Sequence, residues 1–259
     1  MTPTKSILVL HGYAQNAHIL SKQFFIDAPH VLQAEDLFGG ASESNESTLE
    51  ASTEDPTLTP RGWFRAFADK TRAVGLDESL ILFRDILKER TYDGVFGFSQ
   101  GAAVAALLCA LVLVPKTNME PYINRLEKPE SYPPFLIDGK PPHPPFKFCV
   151  AVAGLKITDP LADVLFNPTY STPTLHIRGK TDVIVTSDRS QELIDVSSNK
   201  RIEEHDGSLT RVPGHFVPSK TPWRKFLAAY IRDPSADIPS PIVSESTPNS
   251  GTATPVASV

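Results

Sequence analysis

YDGVFGFSQGAAVAALL, residues 92–108, carries the pattern on which the reading of this chain turns. Tyr92 to Phe98 reads as a buried strand. It runs without a break into Ser99-Gln100-Gly101 and an alanine-rich helix over Gln100–Val114, which Pro115 ends. The junction, Gly97-Phe98-Ser99-Gln100-Gly101, is G-x-S-x-G. On its own such a pentapeptide is often a chance turn. A strand before it and a helix after it give it meaning. A serine there stands on a sharp, strained turn that lifts Oγ clear of the backbone. Gly97 and Gly101 let strand and helix approach closely, and Ala102, Ala103, Ala105 and Ala106 let the helix lie near a sheet. The helix N-terminus also aims its N–H groups and positive dipole end at the same spot.

Working outward, Ser6–Leu10 is a short apolar run stopped by His11-Gly12, a buried strand. Phe24–Ile26 predicts a second strand, ended by Pro29. Gly39–Pro60 is rich in Ser, Glu and Thr and reads as a loop. Leu80, Phe83, Ile86 and Leu87 have helical spacing within Leu76–Arg90, with Asp77 as a cap. Residues 115–145 are irregular and proline-rich. Phe146–Gly154 and Thr174–Ile177 are strands, Ser187–Val196 a helix, Lys200–His205 a last strand, and Thr221–Ile231 an amphipathic closing helix. From Pro234 the Ser, Pro and Thr composition predicts a disordered tail. Buried strands alternating with helices predict an α/β fold: a mostly parallel central sheet with helices on both faces. The expected organisation is one domain over 1–233 and a tail over 234–259.

A length of 259 residues suits one large α/β domain. The net charge of −5 and the lack of any basic run argue against nucleic acid as a partner. The longest apolar stretch, Ala102–Val114, falls short of the roughly 18 residues of a membrane span. The opening Met-Thr-Pro-Thr-Lys runs straight into a strand, so no signal peptide is expected. Cys109 and Cys149 sit inside apolar runs and read as small buried hydrophobes in a reducing compartment. The expected location is the cytoplasm.

A serine hydroxyl is a weak nucleophile and needs a base. In the strand–G-x-S-x-G–helix context the order along the chain is Ser, Asp, His. His215 lies in Val212-Pro213-Gly214-His215-Phe216-Val217-Pro218, after the last strand and before the last helix. Gly214 lets the backbone turn, and the prolines stiffen the loop. Among the other histidines, His205 ends a strand, His143 sits in a proline loop, and His176 reads as a satisfied core residue. His18 and His30 have no evident partner. His11 lacks companions at ligand spacing and reads as shaping its turn. Asp182 closes the segment Leu175–Asp182 at the carboxyl edge of the sheet, where Ser99 and His215 also fall. Asp188 and Asp206 compete as a first-turn carboxylate and a turn residue. The expected oxyanion donors are the backbone N–H groups of Gln100 and Tyr13. Trp63, Phe64 and Phe67 are candidates to wall an acyl pocket, with plain core packing as the competing reading. Two-step acyl transfer on such a triad needs no metal or organic cofactor.

LHGYAQN (10–16), DAPH (27–30), GWFRAF (62–67), YDGVFGFSQGAAVAALL (92–108), LHIRGKTDVIV (175–185) and GHFVPS (214–219) together resemble the fungal and animal family of serine hydrolases. The resemblance covers residues 5–232. It implies a compact α/β-hydrolase fold with no large cap, and Ser99, Asp182 and His215 as the triad. It also implies esterase or thioesterase activity on small acyl substrates. An acyl chain borne by a carrier protein, as in fungal polyketide-releasing thioesterases, is a further partner. Two departures stand out. Only Tyr13–Gln23 separate the LHG and DAPH segments, too few for a full crossover helix, and Ser208–Val212 looks inserted before the histidine loop. Other acyl specificities on the same triad, short-chain esterase, lipase-like or peptidase, are alternatives. A catalytically silent α/β-hydrolase serving as a binding module is another.

Overall fold

The computed structural model describes residues 4–15, 26–33, 59–66, 71–113, 135–207 and 214–241. The strands among them are β1 (Ile7–Leu10), β2 (His30–Val31), β3 (Arg61–Gly62), β4 (Arg65–Ala66), β5 (Ala73–Val74), β6 (Gly94–Phe98), β7 (Phe148–Val152), β8 (Thr174–Gly179) and β9 (Lys200–His205). The helices are α1 (Leu76–Glu89), α2 (Gln100–Leu113), α3 (Pro160–Leu165), α4 (Ser187–Asp195) and α5 (Thr221–Arg232). The chain divides into two compact units, Met1–Val217 and Pro218–Val259.

In the first unit β1, β6, β7, β8 and β9 pair in that order, every pair parallel. All five residues of β7 are buried, as a central strand covered on both faces demands. β9 at the edge is only partly covered, with Lys200 and Ile202 exposed and Glu203 and His205 buried. The register aligns Leu10 with Gly97, Gly97 with Ala151, Ala151 with His176, and His176 with Ile202. The carboxyl ends of β1, β6 and β8 therefore open onto one edge, and His11, Ser99 and Asp182 leave the sheet there.

Helix α2 is apolar on every side and buried from Gln100 to Val112. It is a core helix rather than an amphipathic one. It packs across β1, β6 and β7 and touches α3. Its small residues join Leu8, Leu10, Trp63, Phe83, Val95 and Ala151 in the core.

Two expectations change, and two features appear that the sequence patterns do not predict. Gly75, in the left-handed region at φ 82°, stands at the N-cap of α1 without a side-chain cap. Asp77 is two positions past the N-cap and lies in the first turn, where its charge favours the dipole. The strand expected at Phe24–Ile26 is not a member of the sheet at Ile26, which is irregular; residues 24 and 25 lie outside the described ones. The strand of this region is β2, and it pairs antiparallel with β3 in a separate ribbon. A second ribbon joins β4 to β5. Helix α3, unforeseen, is a six-residue helix capped by Asp159, whose carboxylate accepts from Leu161 N–H at 2.9 Å.

The expected loop over 39–60, the proline-rich stretch over 115–145 and the insertion at 208–212 fall wholly or largely outside the described residues. Of the expected tail, 234–241 is described and 242–259 is not. In the second unit α5 sets Trp223, Phe226 and Tyr230 along one face, with the Trp223 and Phe226 rings edge to face at 6.0 Å. No helix among the described residues is long and apolar enough to cross a membrane.

Candidate active site

Ser99 is the one residue between β6 and α2. Its φ is 53°, a left-handed conformation that costs a non-glycine residue energy. Three backbone bonds hold it there. Its N–H donates to the Val152 carbonyl at 2.8 Å, and its own carbonyl accepts from Ala102 and Ala103 at 3.0 and 3.3 Å. The turn is tight enough that a Cβ on Gly97 would collide with the Gly101 carbonyl, and one on Gly101 with the carbonyls of Leu10 and His11. Strand, helix and the end of β1 thus meet backbone to backbone, as the glycine spacing predicts.

His215 comes from the loop after β9. Its Nε2 lies 3.0 Å from Ser99 Oγ, and its Nδ1 lies 2.8 Å from Asp182 Oδ2. A carboxylate only accepts, so Nδ1 carries the proton and Nε2 presents a lone pair to the serine hydroxyl. The ring packs on Phe98 at 5.0 Å. Gly214, at φ 79°, precedes it; a Cβ there would strike the Asp182 backbone. A glycine is what lets the histidine loop close onto the acid loop.

Asp182 follows β8. Its Oδ1 accepts from Ile184 N–H and Val185 N–H, both at 2.9 Å. The side chain is 2% exposed. One carboxylate oxygen is therefore fixed by the backbone, which leaves the other for the imidazole. Asp188 sits in the first turn of α4, and Asp206 pairs with Lys180 at 2.9 Å. The structure brings Ser99, His215 and Asp182 together and leaves both competing carboxylates elsewhere.

The other described histidines have structural surroundings. His11 is fully buried. Its Nε2 accepts from Ala28 N–H at 3.0 Å, so Nδ1 carries the proton and donates to the Gly12 carbonyl at 2.8 Å. Burial pushes its pKa below the usual histidine value, against the opposing pull of the Gly12 bond and Asp27. His143 accepts from Tyr92 N–H at 2.8 Å. His30 bonds the Gly75 carbonyl at 2.7 Å. The His205 ring lies 4.4 Å from that of Phe216, tilted by 53°, next to His215 in the chain, and burial lowers its pKa. His176 departs from the satisfied core histidine expected: its buried Nε2 has no hydrogen-bond partner among the described residues. Burial, with Lys200 adding to it, pushes its pKa down to about 3.

Of the expected oxyanion donors, Gln100 opens α2 directly after Ser99. Tyr13 lies in a turn over Gly12–Gln15, closed by Gln15 N–H to the Gly12 carbonyl at 3.3 Å. Of the pocket candidates, Phe67 lies outside the described residues. Phe64 is 9% exposed, and Trp63 exposes nothing. Trp63 is a core residue, its ring 5.0 Å from His11 and 4.9 Å from Phe83, so it walls no open space.

What residue patterns did not reveal is the job of the Gln100 side chain. Its Oε1 accepts from Trp63 N–H at 2.8 Å, and its Nε2 donates to the Phe64 carbonyl at 2.7 Å. The available signal was a single amide opening a helix that is otherwise apolar; a polar group so buried must find partners.

A model of the serine hydrolase (FSH1) family matches residues 1–227. The chain is 30% identical to a protein of Schizosaccharomyces pombe named dihydrofolate reductase; the match takes in 97% of this chain but only 53% of that protein. It is 27% identical to esterase OVCA2 of Danio rerio, over 87% of this chain and 96% of the other. Among solved structures it resembles acyl-protein thioesterase 2 of Zea mays, with a TM-score of 0.50 at 20% identity, covering 89% of this chain and 95% of that one. That likeness shows the fold, an α/β-hydrolase with a mostly parallel sheet.

Proposed function

The chain belongs to the serine hydrolase (FSH1) family, and from that premise we propose that it cleaves carboxylic ester or thioester bonds of acyl substrates with Ser99, His215 and Asp182 as its triad. One observation carries the reading: the unbroken relay from Ser99 Oγ through both nitrogens of His215 to Asp182, at 3.0 and 2.8 Å. His215 takes the Ser99 proton as Oγ attacks the acyl carbonyl. The N–H groups of Gln100 and Tyr13 hold the oxyanion. His215 then gives its proton to the leaving alcohol or thiol. Water repeats the cycle on the acyl-enzyme, and His215 again serves as the base. Asp182 orients the ring and stabilises the imidazolium between the two proton transfers.

The esterase name of the Danio rerio relative supports the bond class. The thioester and a carrier-borne acyl chain are the finer part of the proposal. They follow from the same chemistry, since a thiolate leaves an acyl carbon more readily than an alkoxide does. No metal or organic cofactor enters the cycle. A cytoplasmic setting fits the free, buried thiols of Cys109 and Cys149.

Purified protein should react quickly with a fluorophosphonate probe, and labelling should vanish in Ser99→Ala and His215→Ala. It should also hydrolyse members of a panel of acyl esters and thioesters, the panel fixing chain length and leaving group. A well-folded wild type that neither labels nor turns over any member rejects the hydrolase reading and favours a silent binding module.

A further inference from the structure

Two backbone turns must keep a fixed separation if Gln100 and Tyr13 are to share one oxyanion, and Trp63 spans the gap between them. Its N–H donates to Gln100 Oε1 at 2.8 Å, on the residue that follows the nucleophile. Its indole Nε1–H donates to the His11 carbonyl at 2.9 Å, two residues before Tyr13. Its carbonyl accepts from Ser79 Oγ of α1 at 2.5 Å. Every polar group of Trp63 is thus used, and the ring is wedged between His11 and Phe83 with none of its surface exposed. The Gln100 amide is fixed in turn, since its nitrogen donates to the Phe64 carbonyl.

We propose that Trp63 is a positioning residue that, through Gln100 on one side and His11 on the other, sets the spacing of the two oxyanion donors. The proposal rests on the hydrolase reading above. Its physical content is that a buried, fully bonded spacer costs nothing to reorganise as charge develops, which is what an oxyanion site needs. The indole N–H is the only group of the Trp63 side chain that can donate to the His11 carbonyl.

Two variants test it. Trp63→Phe keeps an aromatic ring in the site, smaller than indole, and removes the donor to His11. Donors that act on the transition state alone change kcat and leave KM. The expected result is therefore a kcat about 10- to 100-fold lower with KM within about twofold. A boronic acid that forms a tetrahedral adduct on Ser99 should bind more weakly by the same factor. Gln100→Glu keeps the acceptor for Trp63 N–H. It donates to the Phe64 carbonyl only while its carboxyl is protonated. Its kcat relative to wild type at each pH should therefore rise as pH falls, a response that lost packing does not produce. A Trp63→Phe enzyme with wild-type kcat, or a Gln100→Glu ratio flat with pH, overturns the proposal. Should Trp63→Phe fail to fold, the Gln100→Glu ratio decides. Ser99→Ala in the same assay separates the two readings. Activity surviving that change overturns the hydrolase triad itself; a dead Ser99→Ala beside an unimpaired Trp63→Phe overturns only the spacer.

Discussion

Asp182 uses its two carboxylate oxygens differently, and that division predicts what an isosteric change does. Oδ1 is held by the N–H groups of Ile184 and Val185, and Oδ2 faces His215 Nδ1. In Asp182→Asn the two N–H groups select the amide oxygen, which turns the NH2 toward the imidazole. His215 then accepts at Nδ1, carries its proton on Nε2, and presents a donor to Ser99 where a base is needed. The expected loss in kcat is on the order of 10⁴-fold, with the fold intact because the backbone bonds survive. Steady-state kinetics beside a thermal melt check this; a loss below tenfold would sink the assigned role. At this scale the meeting of Ser99, His215 and Asp182 was legible because each sits in a short local pattern: G-x-S-x-G, Gly-His between prolines, a carboxylate just past a strand. Trp63 was not. Its partners His11, Gln100 and Ser79 are up to 52 residues away in the chain, and an aromatic in a short motif looks the same whether it lines a pocket or spans two turns.

At the scale of elements, legibility followed length and burial. The strands β6, β7, β8 and β9 and the helices α1, α2, α4 and α5 fell within a few residues of their predicted spans; β6, β7 and β8 carry apolar runs and the helices a helical period or an apolar stretch, whereas β9 holds a single apolar residue, Ile202. The two-residue strands β2 to β5 did not, because a ribbon that short is made by its partner and not by its own sequence. Helix α3 escaped for the same reason, and its cap shows what it is for. Asp159 is 2% exposed; Oδ1 accepts from Leu161 N–H at 2.9 Å and Oδ2 from Ala73 N–H of β5 at 3.0 Å. One carboxylate therefore starts a helix and ties a ribbon to it across 86 residues of chain. Asp159→Ala loses a cap worth about 1 kcal/mol and strands a buried N–H at a cost of about 1–3 kcal/mol. Urea unfolding should show a loss of about 2–4 kcal/mol, the sum of those two costs. Asp159→Asn, with one acceptor oxygen for two N–H groups, should fall between. A loss under about 0.5 kcal/mol in the alanine variant would mean that water or a neighbour replaces both bonds.

For the molecule as a whole, four described histidines, His11, His143, His176 and His205, share one electrostatic fate: burial lowers the pKa of each. That chemistry was invisible in a composition of seven histidines and a net charge of −5, because it depends on which rings the fold encloses. The sign of the consequence is fixed. Unfolded, each ring titrates near 6.5; folded, it stays neutral to lower pH. Below 6.5 the unfolded chain binds protons that the folded chain refuses, so stability falls with falling pH. For His176 the window runs from 6.5 down to about 3, at about 1.4 kcal/mol per pH unit. Its buried Nε2 lacks a partner among the described residues, so an apolar replacement surrenders no hydrogen bond to any of them at that atom. Urea unfolding of wild type and His176→Leu at pH 7.5 and pH 5.0 isolates this contribution. Between the two conditions the wild type should lose about 2 kcal/mol more than the variant, while His11, His143 and His205 make both proteins less stable in acid. Equal losses would mean that His176 takes up its proton in the folded state as readily as in the unfolded one, with solvent reaching the middle of β8.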